Sequence, residues 1–277
     1  MTISSLFTIK KINFFTIEKK NIARMFFYLG ILISYWGTLM PWFIWKIEKV
    51  FFILSAVLIA MSMLISRNLS CPIFKRTDFQ IPILSYLVLN IMICIVNGGN
   101  VNAYIALVFY MIIFLSLFMV SIDELKRLIK FLCMVMGTLL SVSIFFFVLY
   151  VLGFPLPSSP IAHETLMYSF TNYYFFLIDD RSFLILLPRF QSVFMEPGHL
   201  GTASVLLLLT QLGKWKKWYN VVLLIATLIS FSLAAFVLLA IVLFINAWLK
   251  RKRILPKILL VVGILTSTTI VAIFYND

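Results

Sequence analysis

Charged side chains are scarce in this sequence. Asp, Glu, Lys and Arg make up 12% of the 277 residues, against about 25% in a soluble domain. The cysteines are Cys71, Cys94 and Cys133, two of them inside apolar runs. That excludes a disulfide framework. No P-loop, no Cys/His metal spacing and no nucleophile elbow occurs, so nucleotide, zinc and serine-hydrolase chemistry have no carrier here. Internal repeats are lacking, which disfavours an inverted-repeat transporter. Charge is also missing from the middle of every apolar run, and ion-coupled transporters bury ionisable groups there.

What is present is hydrocarbon. The chain is 63% hydrophobic and holds 28 Phe. Apolar stretches near 20 residues recur along it, the length of a bilayer-crossing helix. They are continuous, whereas a transmembrane barrel alternates over short segments. The expected fold is all-α, a polytopic membrane helix bundle. Its net charge of +13 does not point to nucleic acid, because the basic residues sit in short tracts between apolar runs, the pattern that orients membrane helices.

Expected spans are 23–45, 50–66, 80–97, 101–120, 129–152, 196–213 and 254–274. Residues 1–22, with Lys10, Lys11, Lys19 and Lys20, read as a cytoplasmic segment lying at the interface, with no cleavable signal peptide. The run 218–249 is long for one span and short for two. Ser230 and Ser232 lie midway, where a hairpin tip needs hydroxyls to satisfy freed backbone groups. A broken hairpin also keeps Lys250, Arg251, Lys252 and Arg253 in the cytoplasm. On that scheme there are about nine passes, and only Lys46, Lys49, Arg181 and Arg189 among the basic residues fall outside. The domain order is 1–22 cytoplasmic, 23–152 a five-helix region, 153–195 one long external loop, and 196–277 the C-terminal helices.

The external loop opens on turn material, Gly153-Phe154-Pro155-Leu156-Pro157. It continues with His163, Glu164, Asp179, Asp180 and Arg181 among Tyr168, Tyr173, Tyr174, Phe175 and Phe176. Aromatic faces beside acids suit sugar recognition, whereas an aromatic belt on the membrane surface has the same composition. The adjacent pair Asp179-Asp180 is too little for a metal site, and neither metal nor cofactor is expected.

The densest chemistry follows, in Arg189-Phe190-Gln191-Ser192-Val193-Phe194-Met195-Glu196-Pro197-Gly198-His199-Leu200-Gly201. Glu196-Pro197-Gly198 is a helix start, with Pro at its favoured position and Glu at the positive end of the dipole. That end also holds anions. Arg189 beside it is either a diphosphate clamp or the partner of Glu196 in a salt bridge that pins the loop. His199 is either a general base or a hydrogen-bonding group. His163 is a second candidate base, and Gly201 allows close helix contact.

This stretch resembles the conserved segment of the O-antigen polymerase (Wzy-type) and O-antigen ligase superfamily, where an Arg precedes a Phe-x-Glu-Pro-(Gly/Asn) motif that opens a membrane helix after an external loop. Leu228-Ile229-Ser230-Phe231-Ser232-Leu233-Ala234-Ala235 is similar to that family's Ser/Thr-rich hairpin tip. The resemblance covers roughly residues 185–255. It implies a membrane glycosyltransferase of the bacterial cytoplasmic (inner) membrane that polymerises lipid-linked repeat units of O-antigen, capsule or exopolysaccharide at the external face. The donor would be an undecaprenyl-diphosphate-linked glycan. Further partners would be membrane lipid and other polysaccharide-assembly membrane proteins, with no nucleic acid and no cofactor. Carried over, the diphosphate role falls on Arg189, with Glu196 the motif Glu and Phe194 the motif aromatic. Together with the residues read above, the catalytic set is Arg189, Glu196 and His199, and the substrate-binding set is Arg181, Phe194, Gly198 and His163. Members of the family continue into a second external loop and more helices, so by that resemblance this chain is expected to be truncated, a fragment or a shortened paralogue. The alternatives are a lipid-linked glycan transporter and a non-catalytic membrane scaffold or inactive truncated paralogue.

Overall fold

The computed structural model describes residues 3–65, 77–96, 101–163, 168–180, 188–211 and 214–250. Arg181, Glu164, Cys71 and the last expected span, 254–274, lie outside the described residues. The described chain is mostly helical. Among the described residues, Lys19–Leu39 and Ile122–Val151 are long and apolar enough to cross a membrane, and the other apolar helices are shorter. The chain divides into two compact units, 1–38 with 43–131, and 39–42 with 132–277.

The first unit begins with α1, Ile3–Leu39. This helix is continuous through the segment expected to be separate. The first span, expected to reach residue 45, stops at Leu39 instead. Met40 takes a φ of 50°, and the α region is disfavoured for a residue preceding proline, so the helix ends before Pro41. A 3-10 turn, Trp42–Ile47, leads into α2, Glu48–Ile65. Helices α3, Thr77–Val96, and α4, Val101–Met119, follow.

Small residues set the α1–α2 contact. A Cβ on Gly30 would sit 2.7 Å from Ile59 Cγ1 and 3.1 Å from the Ser55 carbonyl. The Ser55 hydroxyl donates to the Gly30 carbonyl at 2.8 Å, and Ser62 to that of Ala23 at 2.7 Å. Close backbone approach with hydroxyl cross-bonds is the packing mode of helices that have no water to exclude. Ring contacts join α2 and α3 to α4 through Phe52–Tyr110 and Tyr86–Phe114. The start of α5, Ile122–Val151, joins α1 through charge: Arg24 grips both oxygens of Glu124, and the Tyr28 hydroxyl donates to Oε1 at 3.0 Å.

The second unit holds the rest of α5, a three-stranded sheet and helices α6, Pro197–Thr210, α7, Trp218–Ile229, and α8, Leu233–Lys250. The sheet was not anticipated. Its strands are β1, Ser159–His163, β2, Tyr168–Asn172, and β3, Leu177–Asp179, antiparallel in the order β1-β2-β3. Aromatic rings bind it to the end of α5, with Phe175 on Phe146 and Phe176 on Phe147 and Tyr150.

The run 218–249 does break midway, between Ile229 and Leu233. The Phe190 amide donates to the Ile229 carbonyl at the end of α7, while Gly201 near the start of α6 meets Ser230 and Ala235. So α7 runs back along α6, and α8 then runs along α6 in the same direction. At the far end, Gly137 of α5 packs on Tyr219, where a Cβ would meet the ring's own Cβ at 2.7 Å.

Candidate functional site

The site is assembled at the α7–α8 tip. Ser230 is the C-cap of α7, and Phe231 follows with a φ of 47°. Such a left-handed position after a helix is usually glycine's, so the tip is strained and needs holding. Arg189 holds it. Its Nη2 donates to the Phe231 carbonyl at 3.1 Å and its Nε to the Ser230 carbonyl at 3.4 Å. These carbonyls end a helix, where the dipole favours a cation. The two serines complete the tip. Ser230 donates to the Thr227 carbonyl at 2.7 Å, and the Ser232 hydroxyl accepts from the Ala235 amide at 3.4 Å as the N-cap of α8.

The start of α6 is pressed against the same tip. A Cβ on Gly201 would lie 2.6 Å from Ala235 Cβ and 2.9 Å from Ser230 Oγ. Only glycine permits that approach. Glu196 occupies the N-cap with extended backbone, yet its side chain makes no capping bond. Instead Oε2 lies 3.9 Å from His199 Nε2, with Glu196 44% and His199 35% exposed. Pro197 has no N–H and the Leu200 amide donates to the Glu196 carbonyl, so the first turn of α6 offers the Gly198 and His199 amides as donors beside a carboxylate and an imidazole. Of the two readings of Arg189, the salt bridge to Glu196 is not formed: its bonds run to the tip carbonyls, and the side chain nearest the Glu196 carboxylate is His199.

Between Arg189 and Glu196 the chain is buried. Phe190 and Phe194 are fully enclosed, and Gln191, Ser192, Val193 and Met195 nearly so. Phe194 therefore packs and presents no surface to a ligand. Strand-like bonds fix the loop: Trp42 N–H donates to the Val193 carbonyl at 3.0 Å, Pro41 bridges Phe194, and Leu177 N–H donates to the Ser192 carbonyl at 2.7 Å. Among the described residues, Gln191 Nε2 and Ser192 Oγ are buried without a hydrogen-bond partner.

The remaining sequence candidates are dispersed. His163 lies buried on β1 opposite Tyr168. Gly198 has room, since a Cβ there would stop 3.9 Å from Ser232 Oγ. Asp180 accepts from the Thr171 hydroxyl at 3.0 Å. Tyr173 lies against Tyr150, their ring centroids 5.1 Å apart. The sequence reading missed Pro41 and Trp42. The helix-breaking Met40-Pro41 step was the available signal.

Among the described residues the chain is thus mostly helical, with two helices long and apolar enough to cross a membrane, a small aromatic sheet and a capped helix-hairpin tip. No family model, no curated protein and no solved structure matches it.

Proposed function

We propose that this chain polymerises lipid-linked oligosaccharide repeat units at the external face of a bacterial cytoplasmic membrane, with an undecaprenyl-diphosphate-linked glycan as donor. In this reading the shorter apolar helices are also passes, toward a total of about nine. The observation that carries it is the convergence of Arg189, Glu196 and His199 on one end of the α6–α7–α8 group, with α6 pointing its N-terminus there.

That end supplies what a glycosyl transfer from a diphosphate requires. Helix N-terminal amides and a guanidinium stabilise the leaving anion. Arg189 uses two donors on the tip and retains others, since a guanidinium carries five N–H groups. Glu196 and His199 stand exposed beside it as proton acceptors. An acceptor sugar hydroxyl attacks the anomeric carbon as the bond from that carbon to the diphosphate oxygen breaks. The hydroxyl proton passes to Glu196 or His199, and the diphosphate leaves with the bonding electrons.

The test is a glycan ladder. The gene is deleted, complemented with wild type or with the double variant Glu196→Gln, His199→Gln, and the surface polysaccharide is separated by length. The proposal expects single repeat units on deletion and long chains only with wild type. An unchanged ladder on deletion would sink it, and units retained inside the cell would favour a transporter.

A further inference from the structure

The turn joining β2 to β3, Tyr173–Phe176, combines exposed aromatic side chains with a backbone that needs no water. Tyr174 and Phe175 are 49% and 44% exposed. Tyr174 adopts a φ of 66°, a strained state for a bulky residue that persists only when its surroundings fix it. They do. The Tyr173 amide donates to the Phe176 carbonyl at 2.9 Å, and the Phe175 amide to the Tyr173 carbonyl at 2.8 Å. The Tyr174 amide donates to Asn172 Oδ1 at 2.7 Å. Trp42 Nε1 donates to the Tyr174 carbonyl at 3.2 Å, and the Ser143 hydroxyl to the Phe175 carbonyl at 2.6 Å. Every backbone N–H and C=O of Tyr173, Tyr174 and Phe175 is therefore bonded within the protein. A loop in water has no need of this. A non-helical segment in hydrocarbon cannot exist without it.

Depth points the same way. All the charged residues of α5 lie between Asp123 and Lys130. From Phe131 to Val151 the helix is uncharged and, at ~1.5 Å per residue, about 31 Å long, the thickness of a bilayer's hydrocarbon core. Ser143, which holds the turn, lies roughly 12 Å short of Val151 by the same rise. Phe175 stacks flat on Phe146, with ring centroids 4.3 Å apart. It thereby continues an exposed apolar strip of α5 formed by Val142, Phe145 and Val148. No charged residue occurs from Tyr168 to Ile178.

We propose that the Tyr173–Phe176 turn is a re-entrant aromatic finger that inserts Tyr174 and Phe175 into the outer leaflet of the membrane, its partner being lipid and not an aqueous glycan. This inference rests on α5 crossing a bilayer, and the test separates the two. Single cysteines replace Tyr174, Phe175 and, as a reference on the α5 strip, Phe145, in a chain whose native cysteines are replaced by alanine. Each is labelled with an environment-sensitive fluorophore in nanodiscs and exposed to doxyl-labelled lipid or to aqueous iodide.

The finger predicts quenching by doxyl lipid and shielding from iodide at Tyr174 and Phe175, matching Phe145. Iodide quenching at both turn sites with Phe145 still in lipid overturns the finger alone and makes the turn a water-facing surface. Iodide quenching at Phe145 overturns the membrane placement of α5 and the finger with it. A label that neither quencher reaches is protein-enclosed, which also overturns the finger. Hydroxyl-radical footprinting of the unsubstituted chain in nanodiscs covers the case of a variant that fails to fold. Protection of Tyr174 and Phe175 agrees with the finger, and heavy oxidation contradicts it.

Discussion

Arg189 Nη2 lies 3.1 Å from the carbonyl oxygen of Phe231, across a sequence separation of 42 residues. The bond joins the loop before α6 to the strained tip between α7 and α8. Arg189 is thus a structural cap and a candidate anion ligand at once, and its substitution has two effects that must be told apart.

Arg189→Ala removes two charge-assisted bonds from helix-end carbonyls. Such bonds contribute about 1.5–3 kcal/mol when enclosed, and partial exposure reduces this to about 1–2 kcal/mol. Thermal unfolding in detergent should fall accordingly. Arg189→Lys keeps a cation at the helix end and should recover part of the loss, because an ammonium cannot reproduce the fork. Equal melting of all three chains would show that the cap is unimportant.

Gly201→Ala places a methyl 2.6 Å from Ala235 Cβ. Overpacking of this kind costs about 1–3 kcal/mol. The double variant Gly201→Ala with Ala235→Gly moves the methyl to the other side of the contact and should regain much of the stability. Additive losses in that cycle would mean that the two positions are not in contact.

The Glu196–His199 pair is long and open to solvent, so it contributes little to stability. Glu196→Gln and His199→Gln should melt like wild type. The one that supplies the base should cut chain elongation by about 10²–10⁴-fold. Full elongation by both variants would remove the pair from the mechanism.

In the first unit, Glu124 accepts from Arg24 and Tyr28 with its side chain only 12% exposed. Glu124→Leu strands the Arg24 guanidinium. Removing one partner of an enclosed pair costs about 3–5 kcal/mol, and the 30% exposure of Arg24 lowers this to about 2–3 kcal/mol. Arg24→Met combined with Glu124→Leu should restore stability. A double variant no better than Glu124→Leu alone would contradict the ion-pair account.

Much of the helical framework can be read directly from hydropathy. The midpoint break of the 218–249 run is readable because two serines interrupt hydrocarbon, and hydroxyls at that place have backbone groups to satisfy. The stop of α1 is signalled by Met40-Pro41 but masked in hydropathy, because the apolar run continues through Trp45. The sheet is harder to read: β1, Ser-Pro-Ile-Ala-His, carries a proline and lacks a clean alternation, the alternation of β2 spans only Tyr168 to Thr171, and the rings that seat the sheet on α5 belong to the Tyr173–Phe176 turn. The partners of Arg189 are invisible for a different reason. Backbone carbonyls carry no residue signature, so an arginine that caps a helix end looks in sequence like one awaiting a carboxylate or a phosphate.

The most direct test of the central claim is elongation by the purified chain in proteoliposomes supplied with a diphosphate-lipid-linked repeat unit. The account predicts products of increasing length with matching release of the lipid diphosphate by wild type. It predicts neither from Arg189→Ala kept below its melting temperature. Repeat units that cross the bilayer unjoined, or that stay unchanged with the folded wild-type chain, would contradict it.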